Sequence, residues 1–249
     1  MKIVTRTLSD QAFEVIRERI LSTRIPPLAP IRQDALAEEL GISKIPLREA
    51  LARLEQDGLL ASHVNRGYFV PALTAAEAEE VFALRLKIEP EAAAAASLDA
   101  DDAQRDAAKA ALVSLEAAGH GATPGIVSLN RAFHLSLVQP GGRQITSQLV
   151  ERLHVLAERY VRKHLEPEGR DVRADSEHRA ILKAWLARDA KRVAALLAQH
   201  ITMTLDDLRL QLREGAAASE AAPSRVVKRN ARAVASTAAP RPVRAARAK

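Results

Sequence analysis

The chain contains no cysteine, which excludes disulfides and thiolate-held metals. Any metal must therefore rest on imidazole, carboxylate, amide or water. Aromatic residues are scarce at 3%, with a single Trp, so a core must be packed from Ala, Leu and Val, which points towards close-set helices. No apolar run is long enough to cross a bilayer, and the opening MKIVTRTLSD lacks the apolar core of a secretory signal. A cytoplasmic protein with no membrane partner is the expectation. Charge of one sign is lacking over most of the chain. The net charge is +6, yet residues 216–249 hold eight Lys or Arg against one acid, Glu220. The remainder is close to neutral, so the high isoelectric point is not by itself a sign that the folded part binds nucleic acid.

What is present divides into three regions: 1–71, 72–215 and 216–249. In the first, Gln11–Leu21 has helical spacing, with Phe13, Ile16 and Ile20 on one face and Ser9 or Asp10 as cap. A short helix follows over about Gln33–Leu40, then the turn Gly41-Ile42-Ser43, then a helix from Lys44 to about Asp57. Leu47, Ala50, Leu51 and Leu54 share the inward face of that helix. LLASHV and GYFV read as a β-hairpin turning at Asn65-Arg66-Gly67. Helix, helix, turn, helix, hairpin is the order of a winged helix-turn-helix. The second region opens on the capping pattern Thr74-Ala-Ala-Glu77. It reads as six helices over 75–97, 101–118, 124–138, 143–164, 170–187 and 190–213, capped or broken at Thr123-Pro124, Gln139-Pro-Gly-Gly142 and Asp189. The fold expected is mainly α: an N-terminal winged helix-turn-helix and a C-terminal all-α six-helix bundle. The last region, rich in Ala, Pro, Ser and Arg, suits a disordered basic tail.

The chemistry of the first region centres on GISKIPLREAL. Ser43 stands at a helix N-terminus, where anions are attracted. Lys44, Ile45, Arg48 and Ala52 point outward. Arg48 suits a two-point contact with a guanine edge in the major groove, and Lys44 suits phosphate. Arg66 at the hairpin tip, with Gly67 allowing close approach, suits a neighbouring minor groove. Arg32 is a candidate phosphate contact. Arg53 can pair with Glu49 or Asp57. Lys44 or Arg48 taken alone reads rather as a solvated surface charge; the ordered set of turn, helix, stop and wing favours double-stranded DNA.

LAEELGISKIPLREALARLEQDGLL with NRGYFV, over about residues 8–71, resembles the GntR family of bacterial regulators. The usual motif there is Ser-Arg-Thr-Pro-Val-Arg-Glu-Ala-Leu. Lys44 replaces its first Arg, Ile45 its Thr and Leu47 its Val, while Arg48-Glu-Ala-Leu51 matches. Lys lacks the planar fork of Arg, so Arg48 is the stronger candidate for reading a base.

In the helical region Asn130 and His134 lie one turn apart on the same face, with His178 and His200 on the last two helices. If the bundle gathers them, three imidazoles and an amide oxygen suit zinc, nickel or manganese, with a position open for ligand. Residues 75–213 resemble the FCD sensor domain found in the FadR-type branch of the same family. That resemblance implies a metal held by Asp-x-x-x-His and two further His. His134, His178 and His200 match, while Asn130 replaces the Asp, which implies weaker metal binding. It also implies that Arg85 faces a small carboxylic-acid effector, although Arg85 can equally pair with Glu89 one turn on. Arg143 falls where the family often has Asn beside the effector pocket.

The function implied is a homodimeric, ligand-responsive transcriptional regulator, usually a repressor, acting on a pseudo-palindromic operator. Two other classes compete. A metal-dependent hydrolytic enzyme can use a three-His site, but Glu177, beside His178, reads as pointing off another face, which leaves no base. A tail-driven nonspecific nucleic-acid binder would draw on the basic segment.

Overall fold

The computed structural model describes residues 6–63, 67–119, 125–164 and 169–221. Helix α1 spans Leu8–Leu21, with Phe13, Ile16 and Ile20 buried. Its cap is Thr7, earlier than Ser9 or Asp10. The Thr7 hydroxyl accepts from the Asp10 N–H at 3.1 Å, and the Asp10 carboxylate accepts from the Thr7 N–H at 3.1 Å. This reciprocal box satisfies two of the helix's orphan donors, so the helix gains a turn. Helix α2, Gln33–Leu40, stops at Gly41, whose φ of 65° is left-handed. Helix α3, Lys44–Gln56, buries Leu47, Ala50, Leu51 and Leu54 completely. Ser43 holds the cap position, but its hydroxyl makes no capping bond.

Strands β1, Ala61–His63, and β2, Gly67–Phe69, pair antiparallel, with Ser62 opposite Tyr68. They are shorter than LLASHV and GYFV because Leu59, Leu60 and Val70 turn into the core. Asn65 and Arg66 lie outside the described residues.

The long helix α4, Ala75–Asp99, forms the spine of the second half and packs on the four helices that follow α5 (Asp102–Ala117). Its buried Ala92, Ala93, Ala94 and Ala96 replace bulky side chains and let neighbours approach closely. Around it stand α6 (Ile126–Val138), a 3-10 turn at Gln139–Gly141, α7 (Gln144–His164), α8 (Arg170–Leu186) and α9 (Ala190–Ala221). Thr74 caps α4 through the Glu77 N–H, but Glu77 does not reach back; its carboxylate accepts the Tyr160 hydroxyl at 2.7 Å. Thr123-Pro124 falls outside the described residues, and the N-cap of α6 is Gly125. Asp189 caps α9 as expected, accepting from the Arg192 N–H at 3.1 Å. Helix α9 runs past residue 213 to Ala221, into the Ala-rich start of the segment read as tail, since Ala is the best helix former. The one Trp, Trp185, is fully buried and donates its indole N–H to the Leu137 carbonyl at 3.0 Å. No helix among the described residues is long and apolar enough to cross a membrane.

The halves meet where α1 lies on α7. Arg17, only 5% exposed, pairs there with the buried Glu158 carboxylate and donates to the Ser128 hydroxyl at 2.8 Å. Arg131 approaches the same carboxylate at 3.4 Å.

Candidate DNA-reading face and histidine cluster

Because the apolar residues of α3 recur every three or four positions, its opposite face is delivered to solvent. Lys44, Ile45 and Arg48 are exposed there, and Ile45 is 71% accessible. Together with Arg32 and Gly67, Lys44 and Arg48 line an open groove of about 440 Å³. Gly67 has a φ of 73°, a conformation that costs a side chain strain. Arg66 lies outside the described residues. The sequence reading missed Asp34, which meets the Lys44 ammonium at 2.7 Å. The Lys44 hydrogen bond, then its charge, holds the Asp34 carboxyl below its ordinary range. Both groups are exposed, so the pair exchanges readily for phosphate. Arg53 pairs with neither Glu49 nor Asp57. It reaches Asp10 on α1 at 2.7 Å and lies over the Phe13 ring, because α1 packs along α3 and brings those side chains within reach.

The second site is interior. His134 from α6, His178 from α8 and His200 from α9 are all buried, and one ring nitrogen of each lies within 4.8 Å of the others. Asn130, half-buried, lines the same cavity with Arg85, Ala174 and Thr204. The cavity measures about 20 Å³, room for one water or ion. His134 Nε2 and both ring nitrogens of His178 are buried without a hydrogen-bond partner. Native interiors rarely leave such atoms unpaired unless an ion or water takes them. Burial, then the neighbouring His200 and His134, pushes the His178 pKa well below its ordinary value. A neutral imidazole is the form that ligates a metal. The donor set thus fits a borderline divalent ion.

Behind His134 lies a fully buried carboxylate, Glu89. It receives the Arg85 Nε–H at 2.9 Å, His134 Nδ1 at 2.8 Å and His154 Nε2 at 3.1 Å. Burial works against its ionisation, but Arg85, followed by the two imidazoles, outweighs it and holds the carboxyl well below the usual range. Arg85 therefore takes the Glu89 pairing while still lining the cavity. Burial, and next Arg85, lowers the His154 pKa to about 3. Glu177 accepts from His200 Nδ1 at 2.6 Å; it does not point away, because α9 packs beside α8. Arg143 does not join the cluster: it is exposed just ahead of α7 and lines no part of this cavity. Glu89, Glu177 and His154 escaped the sequence reading as site residues. The only signal available was the one-turn spacing from Arg85 to Glu89.

Residues 8–70 match the family described as bacterial regulatory proteins, gntR family, and residues 80–203 match the FCD domain. The "HTH-type transcriptional repressor GlaR" of Escherichia coli (strain K12) is 30% identical over 199 residues, covering 76% of this chain and 90% of its own. The "Uncharacterized HTH-type transcriptional regulator YdhC" of Bacillus subtilis (strain 168) is 27% identical over 210 residues, 82% of this chain and 92% of its own. Among solved structures, E. coli McbR/YncC shares the fold with a TM-score of 0.69 at 23% identity, covering 83% of this chain and 99% of that one. The chain belongs to the GntR family of bacterial transcriptional regulators, with a DNA-binding winged helix followed by an FCD domain.

Proposed function

We propose that this regulator is a homodimeric repressor whose hold on a pseudo-palindromic operator is set by a small carboxylic acid bound at a metal in the histidine cluster. The observation that carries the sensing half is the set of buried, unpartnered nitrogens on His134 and His178 beside His200. His134, His178 and His200 hold the ion, and Asn130 adds a neutral oxygen in place of a carboxylate. When bound, the metal supplies a Lewis-acidic position for the carboxylate of the effector. Zinc, nickel and manganese all suit such donors. The repressor sense follows GlaR, which is named as one. Exposed Ile145 and Leu149, one turn apart on α7, offer an apolar strip for a second copy.

A cavity of about 20 Å³ is too small for an organic acid, so effector entry must open the bundle. An effector shifts the DNA-competent population only if it binds the open and closed states differently. Glu177 addresses the far nitrogen of His200, which orients the ring and provides no base at an open metal position.

Thermal shifts of the full chain with small organic acids, with and without divalent ions, test the sensor. Stabilisation by an acid that requires the ion supports the reading; acids that act equally on metal-stripped protein count against it. For the DNA face, Arg48→Ala is expected to weaken operator binding by ten- to a hundredfold, following the 1–3 kcal/mol of a two-point base contact. Binding to random duplex should fall far less. Equal losses on both would reduce Arg48 to a phosphate contact.

A further inference from the structure

The three imidazoles are not equally prepared for a metal. Glu89 takes two hydrogen bonds from the Arg85 guanidinium, a group that only donates, so its oxygens act as acceptors and the hydrogen shared with His134 resides on Nδ1 of that ring. Its distance of 2.8 Å is that of a charge-assisted bond. The other nitrogen of His134, Nε2, is then the one left to ligate, and it is the buried atom without a partner. Glu177 does the same for His200 from the opposite side, accepting from Nδ1 at 2.6 Å. Among the described residues nothing comparable stands behind His178, both of whose ring nitrogens are unpartnered.

A second three-donor group, Glu89, His134 and His154, also lies close enough to hold an ion. The Arg85 guanidinium already occupies that carboxylate, donating from Nε at 2.9 Å and from a terminal nitrogen at 3.4 Å. An ion entering there would have to displace it from both Glu89 oxygens. The cation belongs on the Nε2 side of His134, and Glu89 stands behind it.

We infer that Glu89 and Glu177 are positioning residues for the metal: each fixes the tautomer of one ligating imidazole from behind, so that His134 and His200 present Nε2 to the ion. This rests on the three-histidine metal reading above and adds the outer carboxylates to it. A carboxylate on the far nitrogen orients a ligating ring and raises its basicity. It also brings negative charge near a site where Asn130 supplies none.

Cobalt(II), titrated into metal-stripped full-length protein, tests the inference through both affinity and the visible ligand-field spectrum. Glu89→Gln and Glu177→Gln are each expected to weaken cobalt binding by roughly ten- to a hundredfold and to shift the bands. Glu79→Gln, which removes a half-exposed carboxylate of α4 paired with Arg209, should leave both near wild type. Wild-type affinity and spectrum in Glu89→Gln would overturn the inference, as would a loss in Glu79→Gln as large as that in Glu89→Gln. No cobalt spectrum in the wild type would sink the metal reading itself and this inference with it. An unchanged Glu89→Gln on a binding wild type sinks the inference alone. Should Glu89→Gln fail to fold, the imidazole nitrogen resonances of the wild type decide. Hydrogen on Nδ1 of His134 supports the assignment, and hydrogen on its Nε2 rejects it.

Discussion

At the scale of single residues, the interior of the FCD domain runs against the rule that buried positions are apolar. Arg85, Glu89, His134, His154, His178 and His200 are all buried, and the sequence showed only part of this. His134, His178 and His200 could be named because they sit at positions a known motif reserves for them. His154 had no such marker and is brought to Glu89 by α7, 65 residues further along the chain. Glu177 was assigned to the wrong side because adjacent helical positions differ by about 100°, and periodicity cannot say that α9 lies in the angle between them. These histidines also fix a pH dependence. The pKa of His154 is lowered from 6.5 to about 3, and that of His178 is lowered too. Below pH 6.5 the unfolded chain therefore binds protons that the folded chain refuses. The stability they contribute is complete above that pH and lost as it falls, by on the order of 1.4 kcal/mol per pH unit for each ring. Urea midpoints of metal-stripped protein should drop steadily from pH 7 to pH 5. A midpoint that held level or rose over this range would contradict neutral burial of the rings.

At the scale of elements, helices were easier to read than their ends. The spacing of Leu47, Ala50, Leu51 and Leu54 defined α3 and its outward face, because burial on one side imposes the period directly. Ends depend on local hydrogen bonds that compete with tertiary ones. The Thr74 pattern lost its reciprocal half to Tyr160, whereas the same kind of box at Thr7 and Asp10 formed in full. That box matters beyond the first turn, since Asp10 also holds Arg53 and so ties the start of α1 to α3. Thr7→Ala is expected to cost about 1 kcal/mol, with Thr7→Ser restoring most of it, measured by denaturant titration. A change within error would mean that the cap is frayed in solution and that α1 begins later, near Ser9.

At the scale of the whole molecule, the junction between the DNA-binding and FCD halves carries an ion pair that stability alone does not explain. Burial raises the Glu158 pKa, and the opposing pull of Arg17 and Arg131 does not bring it back. The carboxylate is thus more costly to ionise in place than in water, despite two cations beside it. Pairs of this kind are often matched or bettered by apolar residues of similar size, while removal of one partner strands the other charge. Arg17 projects from α1, and Glu158 lies one turn beyond His154 on α7, so the pair joins the helix backing the histidine cluster to the first helix of the winged domain. Glu158→Ala should destabilise the chain by about 3–5 kcal/mol, leaving Arg17 buried without its carboxylate. Arg17→Met combined with Glu158→Met should recover most of that loss. The double variant also separates structure from signalling. If the pair fixes the relative seating of the two halves, the variant folds, binds metal and binds operator, yet operator affinity responds less to an effector than in the wild type. A double variant with an undiminished response would show that the coupling between sites runs through other contacts, such as the Tyr160 hydroxyl at Thr74 and Glu77.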